Sequence, residues 1–494
     1  MHWTISKITQ TFAFSILATL ISLVFATPGI TSPADVRVLV DVSGSMKKAD
    51  PKAVRGPATA LLAALLPDQS KGGIWLFGTD VRELVPYGPV DARWDALGKP
   101  IEASIGSTDR FTHMESALKT GVRAGGQQVS DICHVILITD GIVDVKGGKD
   151  ASSASRDRII RSLLPEASDR NCRIHTIALS DEADLPLLRQ MALETNGLFT
   201  LLDRPGDLIP VMLDALELAL RSQQLPIREQ KINIDPDIRQ LRFIRLDSEI
   251  AIELKGDSKS INATSENAGI SYYKGTGYQT LIWSNPIPGR YTLTTDLGPT
   301  DRILIDSNVR LELAELPPTI SSDQTLGLSA SIRGKSGQIT ALDREFRVAF
   351  GDRVDSDRFI GNKLSMQIDS PMRGRSILTV QSFDKKYERQ IQRAFEVLET
   401  QPALEIATNS SKGVGQVASN VKPKSQDTKG PAKIKTPAKI VEGQTLLPEI
   451  VKEQIPEDMR NWPLWQLAVS ALAALAVIAL VVGLVLRPKY HLPE

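Results

Sequence analysis

Largely apolar runs alternate with helix-type segments along residues 35–222. Three of the runs, Val36–Val40, Cys133–Thr139 and Cys172–Leu179, have the character of parallel strands that are buried on both faces. Segments of helical spacing separate and follow these runs, and the last of these segments is Asp207–Arg221. This alternation predicts an α/β domain built on a doubly wound, Rossmann-like sheet.

The residues after the first strand predict a helix and a hairpin. Asp50 is a typical helix cap and Pro51 a typical first-turn residue, so we expect a helix from there to about Leu66. Gly73–Gly78 and Val81–Val85 follow as two short strand-like runs, and the few residues between them predict a hairpin.

Beyond this domain the apolar residues adopt the alternation of half-buried strands. Short runs such as Arg242–Leu246 and Gln279–Trp283 are separated by turn residues, and a second series begins near Leu326–Ile332. The pattern predicts an all-β sandwich region with an immunoglobulin-like domain over residues 225–310 and a second β-sandwich domain over residues 311–400. Alternation alone leaves open whether this region is one domain or two.

The N-terminus carries the features of an export signal. Lys7 precedes an apolar stretch from Phe12 to Phe25, and Val24 and Ala26 are small residues at the positions that precede a cleavage site. Residues 1–26 are therefore predicted to be a secretory signal peptide, with an uncleaved membrane anchor as the alternative.

A second apolar segment lies near the C-terminus. Residues 464–486 contain no charged side chain and are long enough to span a bilayer, which predicts a transmembrane helix over residues 463–486. Arg487 and Lys489 follow it, so the positive-inside rule places the tail, residues 487–494, in the cytoplasm. The chain is then a single-pass protein of the inner (cytoplasmic) membrane, with its bulk in the periplasm or another extracytoplasmic space.

The segment that precedes this helix has the composition of a linker. Residues 401–460 are rich in Ser, Lys, Pro, Gly, Thr and Gln in their first part, which predicts a flexible linker.

The whole chain has 494 residues, with 58 Lys and Arg against 58 Asp and Glu. This balance gives no reason to expect nucleic acid as a partner.

Candidate chemistry is concentrated where predicted strands of the first domain end. Asp41, Ser43 and Ser45 follow the first strand, and Asp140 follows the strand Cys133–Thr139. Thr112 lies in a loop that leads into a predicted helix. Open α/β sheets bind ligands at the carboxyl ends of their strands, and hard divalent cations prefer oxygen ligands of these kinds. The set therefore predicts a cation site.

The order and spacing of these five residues resemble the metal-ion-dependent adhesion site of the von Willebrand factor type A (VWA) family. Thr108 is a rival for the threonine position. Thr112 is preferred because the family's threonine lies about five residues before an Ala-Leu pair, here Ala117-Leu118. The resemblance implies Mg²⁺ (or Mn²⁺) held by Asp41, Ser43, Ser45, Thr112 and Asp140, and a partner protein that supplies an acidic side chain to the metal.

The resemblance also bears on the cysteines and the last helix. It makes the strands that begin at Cys133 and Cys172 neighbours, so the two residues are either a disulfide or two buried thiols. It further implies that a shift of Asp207–Arg221 couples to metal coordination if binding is regulated.

Two other functions compete with adhesion. One is a structural or assembly scaffold of the cell envelope in which the metal site serves stability only. The other is a Mg²⁺-dependent phosphohydrolase, in which a strand-ending Asp acts as nucleophile and a second acid commonly lies two residues later. Ser43 occupies that later position here, and a hydroxyl is a poor general acid, so no enzymatic activity is expected.

Overall fold

The computed structural model of this protein describes residues 34–126, 132–247, 249–257, 259–265, 269–298, 300–334, 337–338, 344–351, 353–355, 363–370 and 373–399. The predicted signal peptide, linker, transmembrane helix and tail lie outside these residues. Within the described residues, no helix combines the length and the apolar character needed to cross a membrane.

The first domain is a mixed sheet in the order β3-β2-β1-β4-β5-β6. Its strands are β1 (Asp35–Asp41), β2 (Lys71–Phe77), β3 (Val81–Pro89), β4 (Cys133–Thr139), β5 (Cys172–Ala178) and β6 (Phe199–Leu201). All neighbouring pairs are parallel except β2 and β3, which form the predicted antiparallel hairpin.

Helices connect these strands and cover both faces of the sheet. They are α1 (Met46–Ala49), α2 (Arg55–Leu65), α3 (Gly98–Ser104), α4 (Met114–Arg123), α5 (Lys149–Arg158), α6 (Leu164–Asp169), α7 (Leu185–Glu194) and α8 (Leu208–Leu220). Alternate side chains of β1 point into different cores: Val38 packs in the core that includes α2 and α8, and Leu39 packs in the core that includes α4 and α7. The predicted doubly wound α/β sheet, followed by a β-rich region, is confirmed.

The start of α2 differs from the sequence prediction. The helix begins at Arg55 rather than at Asp50, because Ala53 has a positive φ of 52° and interrupts the helical backbone. The Asp50 carboxylate nevertheless caps the helix, since it accepts hydrogen bonds from the backbone amides of Val54 and Arg55. The predicted cap therefore lies five positions before the first residue of the helix that it stabilises.

Cys133 and Cys172 face each other in the register of β4 and β5 and form a disulfide. The bond joins the amino-terminal ends of two adjacent parallel strands, with Cα atoms 4.4 Å apart. Of the two arrangements that the sequence left open, the structure has the disulfide.

We expect the double substitution Cys133→Ala/Cys172→Ala to lower the free energy of unfolding by about 2–4 kcal/mol, because the bond closes a loop between residues 39 apart and restricts the unfolded chain. Denaturant unfolding under oxidising conditions measures this loss. The reduced wild type is the control and should resemble the variant. Equal stability of the oxidised wild type and the variant would contradict the expectation.

The β-rich region contains two apolar cores. Its strands are β7 (Gln223–Gln224), β8 (Lys231–Ile234), β9 (Ile238–Arg245), β10 (Glu253–Lys255), β11 (Ser260–Asn262), β12 (Ile270–Gly275), β13 (Tyr278–Ser284), β14 (Gly289–Leu293), β15 (Arg302–Ser307), β16 (Arg310–Leu313), β17 (Thr319–Ser321), β18 (Thr325–Gly334), β19 (Gly337–Gln338), β20 (Glu345–Phe350), β21 (Arg353–Asp355), β22 (Lys363–Asp369), β23 (Gly374–Phe383) and β24 (Glu388–Leu398). One core draws its side chains from residues 225–305 and the other from residues 309–397.

One sheet runs through both parts of this region, in the order β12-β13-β9-β15-β7-β24-β23-β20-β21. The short strand β7 joins the two halves, because Gln224 pairs with Leu304 of β15 on one side and with Gln390 of β24 on the other. A sheet of β11-β10-β14-β8 and a sheet of β16, β18, β19 and β22 are separate from it. The sequence did not reveal this continuous sheet.

Helix α8 lies between the first domain and the β-rich region. Its apolar residues share a core with β1 and β4 and also with Ile244 and Leu304 of the β-rich region. Two acidic residues of α8, Asp214 and Glu217, are buried as well. The last helix of the first domain is therefore covered on more than one side.

Arginines of the β-rich region surround these two carboxylates. Arg375 donates two hydrogen bonds to Asp214, one of them from Nε at 3.1 Å, and Arg302 donates from Nε to Glu217 at 3.2 Å. Arg302 Nη2 also lies 3.8 Å from Asp214 Oδ1. Burial raises the pKa of both carboxyl groups above the ordinary range, and the arginines offset part of that effect.

Candidate metal site

The predicted site residues lie at the carboxyl ends of two adjacent parallel strands. Asp41 is the last residue of β1, and Asp140 directly follows β4. The register pairs Val40 with Ile138, so β1 and β4 both end at the same edge of the sheet. Ser43 and Ser45 lie in the turn between β1 and the short helix α1. Parallel pairing therefore brings together residues that are about 100 positions apart in sequence.

A chain of hydrogen bonds connects four of the five predicted residues. Asp41 Oδ1 accepts from the backbone amide of Ser43 at 2.8 Å. The hydroxyl oxygens of Ser43 and Ser45 are 3.0 Å apart, and Ser45 Oγ donates to Asp140 Oδ1 at 2.9 Å. We refer to the side-chain oxygens of Asp41, Ser43, Ser45, Thr112 and Asp140 as the oxygen cluster.

Backbone pairing with Asp144 positions Thr112 near these hydrogen-bonded residues. Its amide and carbonyl bond to the carbonyl and amide of Asp144, at 2.8 and 3.2 Å. A Cβ atom added at Gly141 would lie 3.3 Å from Thr112 Oγ1 and 3.8 Å from Asp41 Oδ2, so both groups border the space in front of Gly141. A side chain at that position would crowd the oxygen cluster.

Thr108, the alternative to Thr112, bonds to Asp109 through its side chain. Its side chain is exposed, and its hydroxyl donates to Asp109 Oδ1 at 3.2 Å. Asp109 in turn forms an ion pair with Arg82 at 2.8 Å, which lowers the pKa of the Asp109 carboxyl. Thr112 Oγ1 therefore borders the same space as Asp41 Oδ2, while the Thr108 hydroxyl is bonded to Asp109. That the oxygen cluster binds a metal stays a prediction.

Burial dominates the electrostatics of the two carboxylates. Asp41 is fully buried, and this raises the pKa of its carboxyl to about 6 despite hydrogen bonds from Thr139 and Ser43. Burial also raises the pKa of Asp140. In the part of the chain that the structure describes, neither carboxylate forms an ion pair with a Lys or Arg, and the Arg55 charge only partly offsets the effect of burial on the pKa of Asp140. A bound cation would therefore supply the missing counter-charge.

The donor set suits a hard cation. Two carboxylates and three hydroxyls are oxygen ligands of the kind that Mg²⁺, Mn²⁺ and Ca²⁺ prefer. No group of three or more His, Cys, Asp or Glu side chains placed to hold a metal occurs among the described residues. Any metal site at this edge of the sheet thus depends on the hydroxyl groups, and the residues present fit a cation that accepts them.

Sequence reasoning missed residues that support the oxygen cluster. Thr139 donates from its hydroxyl to Asp41 Oδ2 at 2.6 Å and accepts from the amide of Gly141 at 3.1 Å. The fully buried Arg55 donates to the backbone carbonyl of Asp41. Thr139 belongs to a predicted strand and Arg55 to a predicted helix, and no local sequence signal indicates either role.

The three histidines of the described residues are not hydrogen-bonded to the oxygen cluster. His134 Nδ1 and His175 Nε2 are 2.9 Å apart in the interior of the domain, and burial lowers the pKa of both rings. The amide of His113 donates to the Gly78 carbonyl at 2.8 Å, while its buried Nδ1 has no hydrogen-bond partner among the described residues.

Comparisons with known proteins bear on the first domain. The model of the von Willebrand factor type A domain family matches residues 34–201. No curated protein matches the chain.

Among solved structures, the chain is similar to von Willebrand factor type A from Catenulispora acidiphila, with 14% identity over 61% of this chain and a TM-score of 0.33. It spans 62% of the length of that protein. It is also similar to the ArnB paralog VWA2 from Sulfolobus acidocaldarius, with 15% identity over 69% of this chain and 67% of that chain and a TM-score of 0.28.

A further similarity is to proximal thread matrix protein 1 from the mussel byssus, with a zinc-occupied MIDAS motif. Its identity is 17% over 40% of this chain and 49% of that chain, with a TM-score of 0.30. Similarities at such TM-scores support no inference about function. The family match instead coincides with the strands β1 to β6 and with the residues of the oxygen cluster. This chain therefore carries a von Willebrand factor type A domain over residues 34–201.

Proposed function

We propose that this protein binds a partner protein through a divalent cation, Mg²⁺ or Mn²⁺, held by Asp41, Ser43, Ser45, Thr112 and Asp140. The observation that carries the proposal is the oxygen cluster itself. Its two carboxylates are buried, share a hydrogen-bonded chain with hydroxyls, and have no cationic side chain paired with them among the described residues.

The charges of the oxygen cluster favour an acidic partner. Two carboxylates at most neutralise a divalent cation, and the three hydroxyls add no charge. If one carboxylate acts through water, the bound cation keeps positive character and an open position for a carboxylate from outside. Ser45 is exposed, so the cluster reaches solvent at this residue, while the other four residues are buried. A Glu or Asp side chain of the partner is the ligand that we propose.

An exposed apolar side chain next to the oxygen cluster offers a second contact. Ile142 is 58% exposed, although Gly141 before it is hydrogen-bonded to Thr139 and Val143 after it is buried. The anchored neighbours hold Ile142 in a defined place, so a partner can cover it at little cost in chain entropy.

The location of this activity rests on sequence alone. We propose that the chain is exported, that the helix at residues 463–486 anchors it in the inner membrane, and that the linker at residues 401–460 lets the binding domain reach partners in the periplasm or a similar space. The β-rich region would then serve as a spacer or docking module.

The two alternatives remain distinguishable. A scaffold whose metal serves stability only would keep its partners when the metal is removed. A phosphohydrolase would need a general acid beside Asp41, but in the structure Ser43 stands two residues after it and is hydrogen-bonded to Ser45. The proposed function is therefore binding, and we do not propose catalysis.

Partner capture tests the proposal. The full chain in detergent is used to capture proteins from envelope extract with Mg²⁺, with EDTA, and as the variant Asp41→Ala. The control is Asp181→Ala, which removes an exposed carboxylate of the same domain. We expect a protein that is captured by the Mg²⁺-loaded wild type and control, and lost with EDTA and with Asp41→Ala. Capture that is the same in all samples would support the scaffold instead.

A further inference from the structure

A buried arginine behind the oxygen cluster contacts three segments of the VWA domain. Arg55, the first residue of α2, has a fully buried side chain. Its Nε donates to Asp50 Oδ2 at 2.7 Å and its Nη2 donates to Ser107 Oγ at 2.8 Å. Its Nη1 donates to the backbone carbonyl of Asp41. Each nitrogen therefore has an acceptor in a different part of the chain.

Asp50 holds this arginine in place. Its carboxylate accepts from the amides of Val54 and Arg55 at 2.8 and 3.1 Å, and it also forms the ion pair with the Arg55 guanidinium. The pair is internally neutral and each guanidinium nitrogen has an acceptor, which favours burial of the charge. Arg55 thus has a defined position from which it can orient its neighbours.

Those neighbours are the two segments that carry most of the oxygen cluster. Asp41 ends β1, and Ser43 follows it in the turn. Ser107 begins the segment that leads to Thr112, and the amides of Thr108 and Asp109 both donate to the Val42 carbonyl at 3.1 Å. Arg55 therefore links the Asp41 turn to the Thr112 segment through hydrogen bonds.

We propose that Arg55, held by Asp50, is a positioning residue that sets the geometry of the oxygen cluster for its cation. This inference rests on the proposed function. Mg²⁺ tolerates little deviation in ligand distance, so a small displacement of one segment against the other weakens its binding. Residues that orient metal ligands typically change affinity by about 10- to 100-fold when they are replaced.

The same strand offers a matched control at its other end. Arg37 of β1 is also buried and forms an ion pair with Asp35 at 2.6 Å. Its Nη1 donates to the carbonyls of Gly121 and Val122 at 2.8 and 3.0 Å. Arg37 therefore has the same kinds of partner as Arg55, but it lies at the sheet edge opposite the oxygen cluster.

The test compares Arg55→Lys with Arg37→Lys in the full chain in detergent. A lysine keeps the charge beside Asp50, but its single ammonium cannot reproduce the three directions of a guanidinium. Calorimetric titration with MgCl₂ measures affinity, and hydrogen exchange in EDTA measures protection of the Thr108 and Asp109 amides without metal. We expect Arg55→Lys to bind Mg²⁺ at least about 10-fold more weakly and to exchange these amides faster. Arg37→Lys should change neither.

A milder variant keeps the inference testable if Arg55→Lys does not fold. Ser107→Ala removes one acceptor of Arg55 and should weaken Mg²⁺ binding a few-fold with near-normal stability. Wild-type affinity and unchanged exchange in both Arg55→Lys and Ser107→Ala would overturn the inference and leave the proposed function standing. A wild-type chain that binds neither Mg²⁺ nor Mn²⁺ would overturn the proposed function, and the inference with it.

Discussion

Replacing Asp41 with Asn is expected to abolish stabilisation by Mg²⁺ and, in metal-free protein, to make the fold more stable at neutral pH. Burial raises the pKa of the Asp41 carboxyl to about 6 from its ordinary value of 3.8. The folded state therefore keeps a proton that the unfolded state releases between about pH 4 and 6. Above that interval the ionised, buried carboxylate lowers the free energy of unfolding by about 3 kcal/mol.

An Asn at this position stays neutral at every pH and is close to Asp in shape. Its oxygen can accept from the Ser43 amide, and the Thr139 hydroxyl, which donates to Asp41 in the wild type, can rotate to accept from the Asn amide group. The metal-free variant should therefore gain up to about 3 kcal/mol at pH 8 and almost nothing at pH 4. A neutral amide also lacks the charge needed to hold Mg²⁺, so added metal should no longer stabilise the fold.

Denaturant unfolding of the full chain in detergent, with EDTA and with excess MgCl₂, measures both effects. The control is Asp181→Asn, because Asp181 is an exposed carboxylate of the same domain and its loss changes the net charge equally. It should leave the pH dependence and the response to Mg²⁺ as in the wild type. An Asp41→Asn variant that is less stable than the wild type in EDTA at pH 8, or that still responds to Mg²⁺, would contradict the expectation.

Replacing Arg302 with Met is expected to lower the free energy of unfolding by about 3–5 kcal/mol at neutral pH. Arg302 is buried between α8 and the β-rich region, where it donates to Glu217 and lies 3.8 Å from Asp214. The methionine fills similar space but leaves two buried carboxylates with less counter-charge. Burial already raises the pKa of both groups, so protonation should relieve the loss, which should be smaller near pH 5 than at pH 7.

A surface arginine of the same region provides the control. Arg239 forms an ion pair with Asp306 at 2.7 Å, with both side chains more than one-third exposed. Because solvent screens such pairs, Arg239→Met should cost less than about 1 kcal/mol. Denaturant unfolding at the two pH values measures both variants. The loss of unfolding free energy in Arg302→Met could instead be as small as in the control, or grow on acidification. Either result would show that the buried ion pairs of Arg302 do not hold α8.

The position of α8 also bears on how binding could be regulated. The VWA resemblance implies a shift of the last helix, which is α8 here. In this chain Asp214 and Glu217 of α8 are bonded to Arg375 and Arg302 of the β-rich region. A shift along the helix axis would have to break these buried contacts or move the β-rich region with the helix. The predicted shift of Asp207–Arg221 stays a prediction.

Local sequence patterns carried most of the information about the VWA domain. Apolar runs predicted β1, β4 and β5 because a strand buried on both faces admits almost no polar residue over its length. The same patterns placed Asp41 and Asp140 at strand ends, and parallel pairing then requires those ends to meet. The alternation beyond residue 225 likewise predicted strands, because half-buried strands have a period of two.

The sequence did not predict the long-range contacts, because such contacts leave no local pattern of residues. Arg55 occupies a helix start that any polar residue could occupy, and its role depends on Asp41 and Ser107, which are distant in sequence. Gln223 and Gln224 carry no strand pattern of their own, yet they form β7 and join two β-sheet halves. Both cases depend on where the chain returns in space.

The sequence by itself thus determined the α/β character of the VWA domain, the β-rich character of the region beyond residue 225, and the residue types of the oxygen cluster. Each of these features depends on periodicity and spacing within one or two elements. Only the tertiary structure decided that Thr112 and Asp41 border one space in front of Gly141, that Cys133 is bonded to Cys172, and that α8 is held by buried arginines. The physical reason is that pairing, burial and counter-charge are properties of neighbours in space, which the order of residues along the chain does not specify.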